Sequence, residues 1–219
     1  EQEINFGRTT KDLDIVLIVE ARTKEFGEQF WKFIRDGRYR IRAKSNGEPQ
    51  FYRFDKPEEE RFPKMIELFS RKPIEFPIYD LLHLTPIHID DDISSLSAIL
   101  LNEDYYHFLK SGIKIIDGLP VLDETHLILF KVKAYIEIKE RVLQGKRGQS
   151  RHIRKHRNDV LKLLTLLYED KKIELNGILK VDMKQFVEAL KEEEVSKDLI
   201  DKDTAIEMLE TIYLDKVKV

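Results

Sequence analysis

The hydrophobic period of this chain changes once, near Asp92, and that change limits the folds open to it. Before Asp92, apolar residues come in short runs bounded by turn residues; after it they recur at helical spacing. The first run, Leu13–Val19, is apolar but for Asp14 near its start, as in a strand covered on both faces. "TKEFGEQFWKFIRDG" follows, with Phe26, Phe30, Phe33 and Ile34 spaced for a helix and Gly37 placed to close it. "YRIRAKSNGEPQFYRF" reads as two strands about an Asn46-Gly47 turn. After the charged loop "DKPEEERFP", "KMIELFS" reads as another strand. One strand, a helix and three antiparallel strands predict a compact mixed sheet. In the Pro-punctuated stretch from Arg71 to Asp92, "LTPIHI" is a candidate short strand.

Beyond Asp92 the spacing predicts helices over Ser94–Leu109, Glu124–Leu143, Ser150–Tyr168, Asp182–Glu194 and Ser196–Tyr213, with Ser150 and Asp182 as N-caps. The fold class is therefore α+β. A small mixed-sheet core over 1–92 precedes a helical C-terminal bundle over 93–219. No internal repeat or low-complexity segment occurs, and "LQGKRGQS" reads as a flexible link between two helices.

Composition narrows the function. Charged residues make up 36% of the chain, yet the formal net charge is only −3, so any anion-binding surface must be local. The absence of cysteine excludes disulfides and thiolate metal sites. No apolar run reaches the roughly 18 residues that span a bilayer, and no signal-peptide core opens the chain. The expectation is a soluble, cytoplasmic protein without a membrane partner. Because the first strand lies so close to Glu1, a native segment upstream is also expected.

Asp12 and Asp14 flank Leu13 at the start of that strand. Residues two apart on a strand share a face, and two carboxylates so close raise each other's pKa unless a cation neutralises them. Magnesium is the natural hard cation for oxygen ligands. Glu67 interrupts the apolar strand "KMIELFS" and is the first candidate for a third acid; Asp80 in "IYDLL" is the second. The competing reading is that these acids only solvate or cap a strand end.

A second constellation is basic. Lys131 sits between Phe130 and Val132 on a predicted helix, on a face with Leu127 and Ile128. A lysine there either snorkels to solvent or reaches a phosphate. Farther on, Lys146, Arg147, Arg151, Arg154, Lys155 and Arg157 cluster with His152 and His156, a local patch suited to a triphosphate or an RNA backbone, or a merely solvated helix face. No aromatic residue interleaves, so base stacking is not expected there. Arg151 and His156 also form an Arg-x4-His spacing that resembles the active-site motif of HEPN-type ribonucleases.

Together these pieces resemble a known family. "RTTKDLDIVL" is similar to the Arg-x-Thr-x-Asp-x-Asp signature of nucleotidyltransferase-fold proteins, with Arg8, Thr10, Asp12 and Asp14 on the matching positions. "LILFKVKA" resembles the Leu-x-x-Lys-x-x-Ala helix of the AbiEii/AbiGii toxin branch and puts Lys131 on its lysine; "IRKHRNDVLKLL" resembles its later Lys-x-x-x-Asp helix, with Lys155 and Asp159. The resemblance, which runs over most of Gly7 to Leu167, implies a polymerase-beta-like core followed by a helical bundle. It also implies a bacterial, magnesium-dependent enzyme that moves a nucleoside monophosphate from a nucleoside triphosphate to an acceptor. Transfer RNA is one acceptor class, and a cognate antitoxin is an expected partner. Asp12, Asp14 and Glu67 would hold the metal. Lys131, Lys155, Arg8 and Thr10 would hold the nucleotide, and Asp159 would be a catalytic or supporting acid. The family's glycine-rich turn ahead of the acids has only Gly7 as a counterpart here. A catalytically degenerate nucleotide- or RNA-binding protein of the same fold is therefore the second expectation, and a ribonuclease using Arg151 and His156 the third.

Overall fold

A computed structural model of the chain describes residues 12–17, 24–43, 51–70, 85–86, 102–145, 150–168, 171–196 and 199–215. The architecture is α+β. The chain divides into one unit over Asn5–Ser97 and another chiefly over Ala98–Val219.

The first unit contains strand β1 (Asp12–Leu17), helix α1 (Lys24–Asp36) and strands β2 (Arg40–Ala43), β3 (Phe51–Asp55), β4 (Met65–Ser70) and β5 (Thr85–Pro86). They form a five-stranded mixed sheet in the order β1-β4-β3-β2-β5. The strands β2, β3 and β4 run antiparallel in succession, while β1 joins β4, and β5 joins β2, in parallel. The short β5 ends in proline, which an edge strand tolerates because no ladder donor is needed on its outer side. Residues 44–50, with the expected Asn46-Gly47 tip, lie outside the described residues, as do Arg8, Thr10 and Asp80.

The register sorts the sheet into two faces. Leu13, Ile66, Phe54 and Ile41 form one row across four strands, and Ile66 and Phe54 are buried. Helix α1 lies against Phe54, with the Phe30 and Trp31 rings 5.5 and 5.8 Å from the Phe54 ring in edge-on contact. Its next turn places Phe33 against Tyr39 and Phe62. Gly37 ends α1 where a Cβ would lie 2.6 Å from the Tyr39 ring, so only glycine fits. The opposite face takes the alternate residues: Asp14, Glu67, Arg53 and Arg42 line up in register across β1, β4, β3 and β2.

The second unit holds helices α2 (Glu103–Ser111), α3 (Glu124–Leu143), α4 (Ser150–Leu164), α5 (Gly177–Glu192) and α6 (Lys202–Tyr213), and a hairpin of β6 (Ile113–Ile116) and β7 (Leu119–Leu122). Helix α3 is central. Ile128, Leu129, Val132, Tyr135, Ile136 and Ile138 are all buried, and α4 and α5 pack on it. Asp123 caps its start, accepting from the His126 N–H.

Four sequence expectations change here. The helix read over Ser94–Leu109 cannot run through Asn102, which has an extended backbone and caps α2 by accepting from the N–H groups of Asp104 and Tyr105; residues 94–101 lie outside the described residues. Asp182 is no N-cap: α5 starts earlier, after Asn176, and Asp182 is a buried interior residue. The last helix begins at Lys202, with Asp201 as its cap, rather than at Ser196. The hairpin is an element that the period analysis left unassigned. Asp117 and Gly118 both take positive φ, 51° and 78°, the turn whose twist suits a two-residue hairpin.

Candidate functional site

Two of the acids singled out in the sequence, Asp14 and Glu67, share one register position. Asp14 on β1 is the partner of Glu67 on the parallel neighbour β4. Adjacent strands lie about 4.8 Å apart, and partners across a ladder share a face. Asp12 falls two residues earlier on the same face of β1, opposite Met65. Glu67 is half-buried, and its partner on the other side, β3, is Arg53, which in turn faces Arg42. Across the sheet the row runs acid, acid, base, base. Sequence reasoning missed both arginines. Their signal was the alternation in "RIRA" and "FYRF", which sets Arg42 and Arg53 on the face opposite Ile41 and Phe54.

This row is chemically distinct from the charged pairs elsewhere in the unit. Arg40 and Asp55, partners across β2 and β3, form a two-pronged ion pair with N–O distances of 2.7 and 2.8 Å. In Asp14 and Glu67, by contrast, two acids stand at paired positions of neighbouring parallel strands. Carboxylates in such a row form an oxygen donor set that suits a hard divalent cation. Asp12 and Asp14 enter here through their backbone register. Among the described residues, no three His, Asp or Glu side chains form a group that could hold a metal ion.

The remaining predicted site residues belong to the second unit. Lys131 is half-buried on α3 and Asp159 is buried on α4, while Lys155 on α4 is exposed. Of the basic cluster, Lys146 and Arg147 lie outside the described residues, and Arg151, Arg154 and Lys155 are exposed. Arg157 does not belong to that surface. It is only 9% exposed and donates to Glu193 at 3.0 Å. His156 is half-buried on the same helix.

No local sequence signal announces how this unit handles charge in its interior. Glu193 also accepts from Tyr135 and from Lys139, the latter at 3.0 Å. Burial pushes the Glu193 carboxyl up, but the hydrogen bonds from Tyr135, Lys139 and Arg157 outweigh it and hold it below its ordinary range. Burial, reinforced by Glu193, pushes the Tyr135 phenol up to about 12. A second knot joins three helices: Asp182 accepts from Tyr105 at 2.8 Å and from Lys133 at 3.0 Å, and is 3% exposed. A third ties the end of α2 to the start of α3. His126 Nδ1 lies 2.7 Å from Asp123 and its Nε2 3.2 Å from Ser111 Oγ. The Ser111 hydroxyl donates to the Phe108 carbonyl, so the arrangement is a tie rather than an activated nucleophile. The cleft beside Tyr135 and Lys139 has about 160 Å³, too small for a nucleotide. These charges hold the helices together.

Among the described residues, no helix is long and apolar enough to cross a membrane. No family model matches the chain, and neither a curated protein nor a solved structure does.

Proposed function

We propose that the protein is a metal-dependent nucleotidyltransferase of the AbiEii/AbiGii toxin type, with the polar face of the sheet as its catalytic surface. The single observation that carries this reading is the register of β1 on β4, which sets Asp14 against Glu67 with Asp12 two residues away. The order of the motifs, Arg-x-Thr-x-Asp-x-Asp and then the lysine and Lys-x-x-x-Asp helices, supports it. Asp12, Asp14 and Glu67 would hold magnesium, which when bound neutralises phosphate charge and polarises the reacting oxygens. In the reaction an acceptor hydroxyl attacks the α-phosphorus of a nucleoside triphosphate, pyrophosphate leaves, and the hydroxyl proton passes to a carboxylate. Such a transfer asks the protein mainly for positioning and for positive charge along the phosphates. Arg53 and Arg42 hold the next register positions along the same row and would supply charge of the required sign. The nucleotide-binding roles of Arg8, Thr10, Lys131 and Lys155, and the acid role of Asp159, rest on the resemblance alone.

The test is transfer of label from each α-labelled nucleoside triphosphate to total RNA in the presence of magnesium. Wild type should label RNA with one nucleotide, and Asp14→Asn should abolish the signal. Nucleotide binding without turnover, unchanged in Asp14→Asn, would replace this reading with the binding-protein alternative. Metal-independent RNA cleavage lost in His156→Ala would replace it with the ribonuclease.

A further inference from the structure

We propose that the outward face of helix α4 docks the phosphate backbone of an RNA strand, with Arg151 and Arg154 as its principal contacts. The choice of RNA over other nucleic acid rests on the proposed transfer to an RNA acceptor; the polyanion-binding face rests on the helix itself. At helical spacing, Arg151, Arg154, Lys155, Asn158 and Lys162 fall on one face. Arg151, Arg154 and Lys155 are exposed, while Val160 and Leu164 on the opposite side are buried. The one acid of α4, Asp159, is buried as well.

The face is built against the helix's own stability. Cations three and four residues apart repel one another, and a cation in the first turn opposes the helix dipole. No acid stands in the first turn of α4, where Arg151 lies. A merely solvated face has no need of this in a chain with 41 acids against 38 lysines and arginines. Lys32 on α1 and Lys191 on α5 each pair with an acid about one turn away. Among the described residues, Arg151 and Arg154 pair with no carboxylate.

What such a face can bind follows from its chemistry. No large apolar side chain of α4 is exposed. The face therefore offers neither the apolar stripe that a membrane-surface helix buries nor the apolar centre of a protein interface. No aromatic ring lies on it, so bases do not stack there and contact is to phosphates, without reading sequence. From Arg151 to Lys162 the stripe runs about 16 Å along the axis, longer than one triphosphate. Facing a strand, that length spans about five phosphates at duplex spacing. Lys155, which the resemblance gives to the nucleotide, shares the face; Arg151 and Arg154 have no other part in the transferase reading.

Fluorescence anisotropy of a labelled single-stranded RNA of mixed sequence tests this on the full chain, in magnesium-free buffer between about 50 and 200 mM salt. Wild type should lose affinity steeply with salt. Asp14→Asn should bind as wild type does, so that failure of docking and failure of transfer are read separately. Arg151→Gln combined with Arg154→Gln should weaken binding and reduce the slope of log affinity against log salt by about 1.4, two contacts at about 0.7 each. Arg151→Lys combined with Arg154→Lys should keep the slope. Lys172→Gln combined with Lys184→Gln, which removes two exposed charges elsewhere on the unit, should leave it unchanged. A wild type that binds no RNA, an unchanged slope in the double arginine-to-glutamine variant, or an equal loss in the lysine variant would overturn the proposal. So would displacement of the RNA by poly-glutamate at equal charge, which gives the face to an acidic polypeptide, or tighter binding to duplex DNA at the same salt.

Discussion

The two units place their acids in different settings. In the helical unit, Asp182 and Glu193 sit in the interior, and each is answered by cations and phenols from other elements: Lys133 and Tyr105 for Asp182, and Lys139, Arg157 and Tyr135 for Glu193. In the sheet unit, an acid is set beside an acid across a ladder. Interior pairing stabilises a fold provided that every partner is present. In the helical unit, the interior charges tie separate elements together.

The largest effect should come from breaking an interior knot. Asp182→Ala leaves Lys133 and Tyr105 without their acceptor and should cost about 3–5 kcal/mol of unfolding free energy by denaturant titration. A loss under 1 kcal/mol would mean that the knot is not formed in solution. Gly112→Ala comes next. The added Cβ would sit 2.2 Å from the His126 ring, forcing α2 away from α3 at a cost of about 1–3 kcal/mol. Asp14→Asn should do the opposite and stabilise the sheet unit by about 0.5–1 kcal/mol in metal-free buffer, because it relieves a like-charge pair. That reversal of sign between two Asp substitutions is the sharpest form of the comparison.

A smaller effect is a pH dependence confined to the helical unit. The Glu193 carboxyl lies below its ordinary range in the folded chain. Its contribution is therefore full above the unfolded carboxyl pKa near 4.3 and is lost as pH falls through the depressed folded value. Stability measured from pH 6 downward should decline in wild type below about pH 4.3, and less steeply in Glu193→Gln. Identical slopes would remove Glu193 from the account.

The sequence made some of this legible and hid the rest for physical reasons. Helix α3 runs from Glu124 to Leu143 as the spacing predicts, because its apolar residues recur with the helical period and Asp123 caps it. The acids were legible because a carboxylate inside an apolar strand stands out. Their adjacency was not, since the order β1-β4-β3-β2-β5 is decided by packing and not by any local signal. The hairpin escaped because "IKII" and "LPVL" are short, although the Asp117-Gly118 pair between them was the turn signal that mattered. Asp182 was misread as a cap because its partner Tyr105 lies 77 positions away. A buried acid and a capping acid look alike until the distant partner is in place. Arg157 was counted with the surface patch for the same reason; Glu193, which turns it inward, belongs to the segment after α5.

The most direct test is the unfolding midpoint of the sheet unit with and without millimolar magnesium, in wild type and in Asp14→Asn. A ligand that binds only the folded state raises that midpoint. Wild type should therefore gain stability when magnesium is added, and Asp14→Asn should not. An equal response in the two proteins, or none in wild type, would contradict the claim that the Asp14–Glu67 row exists to hold a cation.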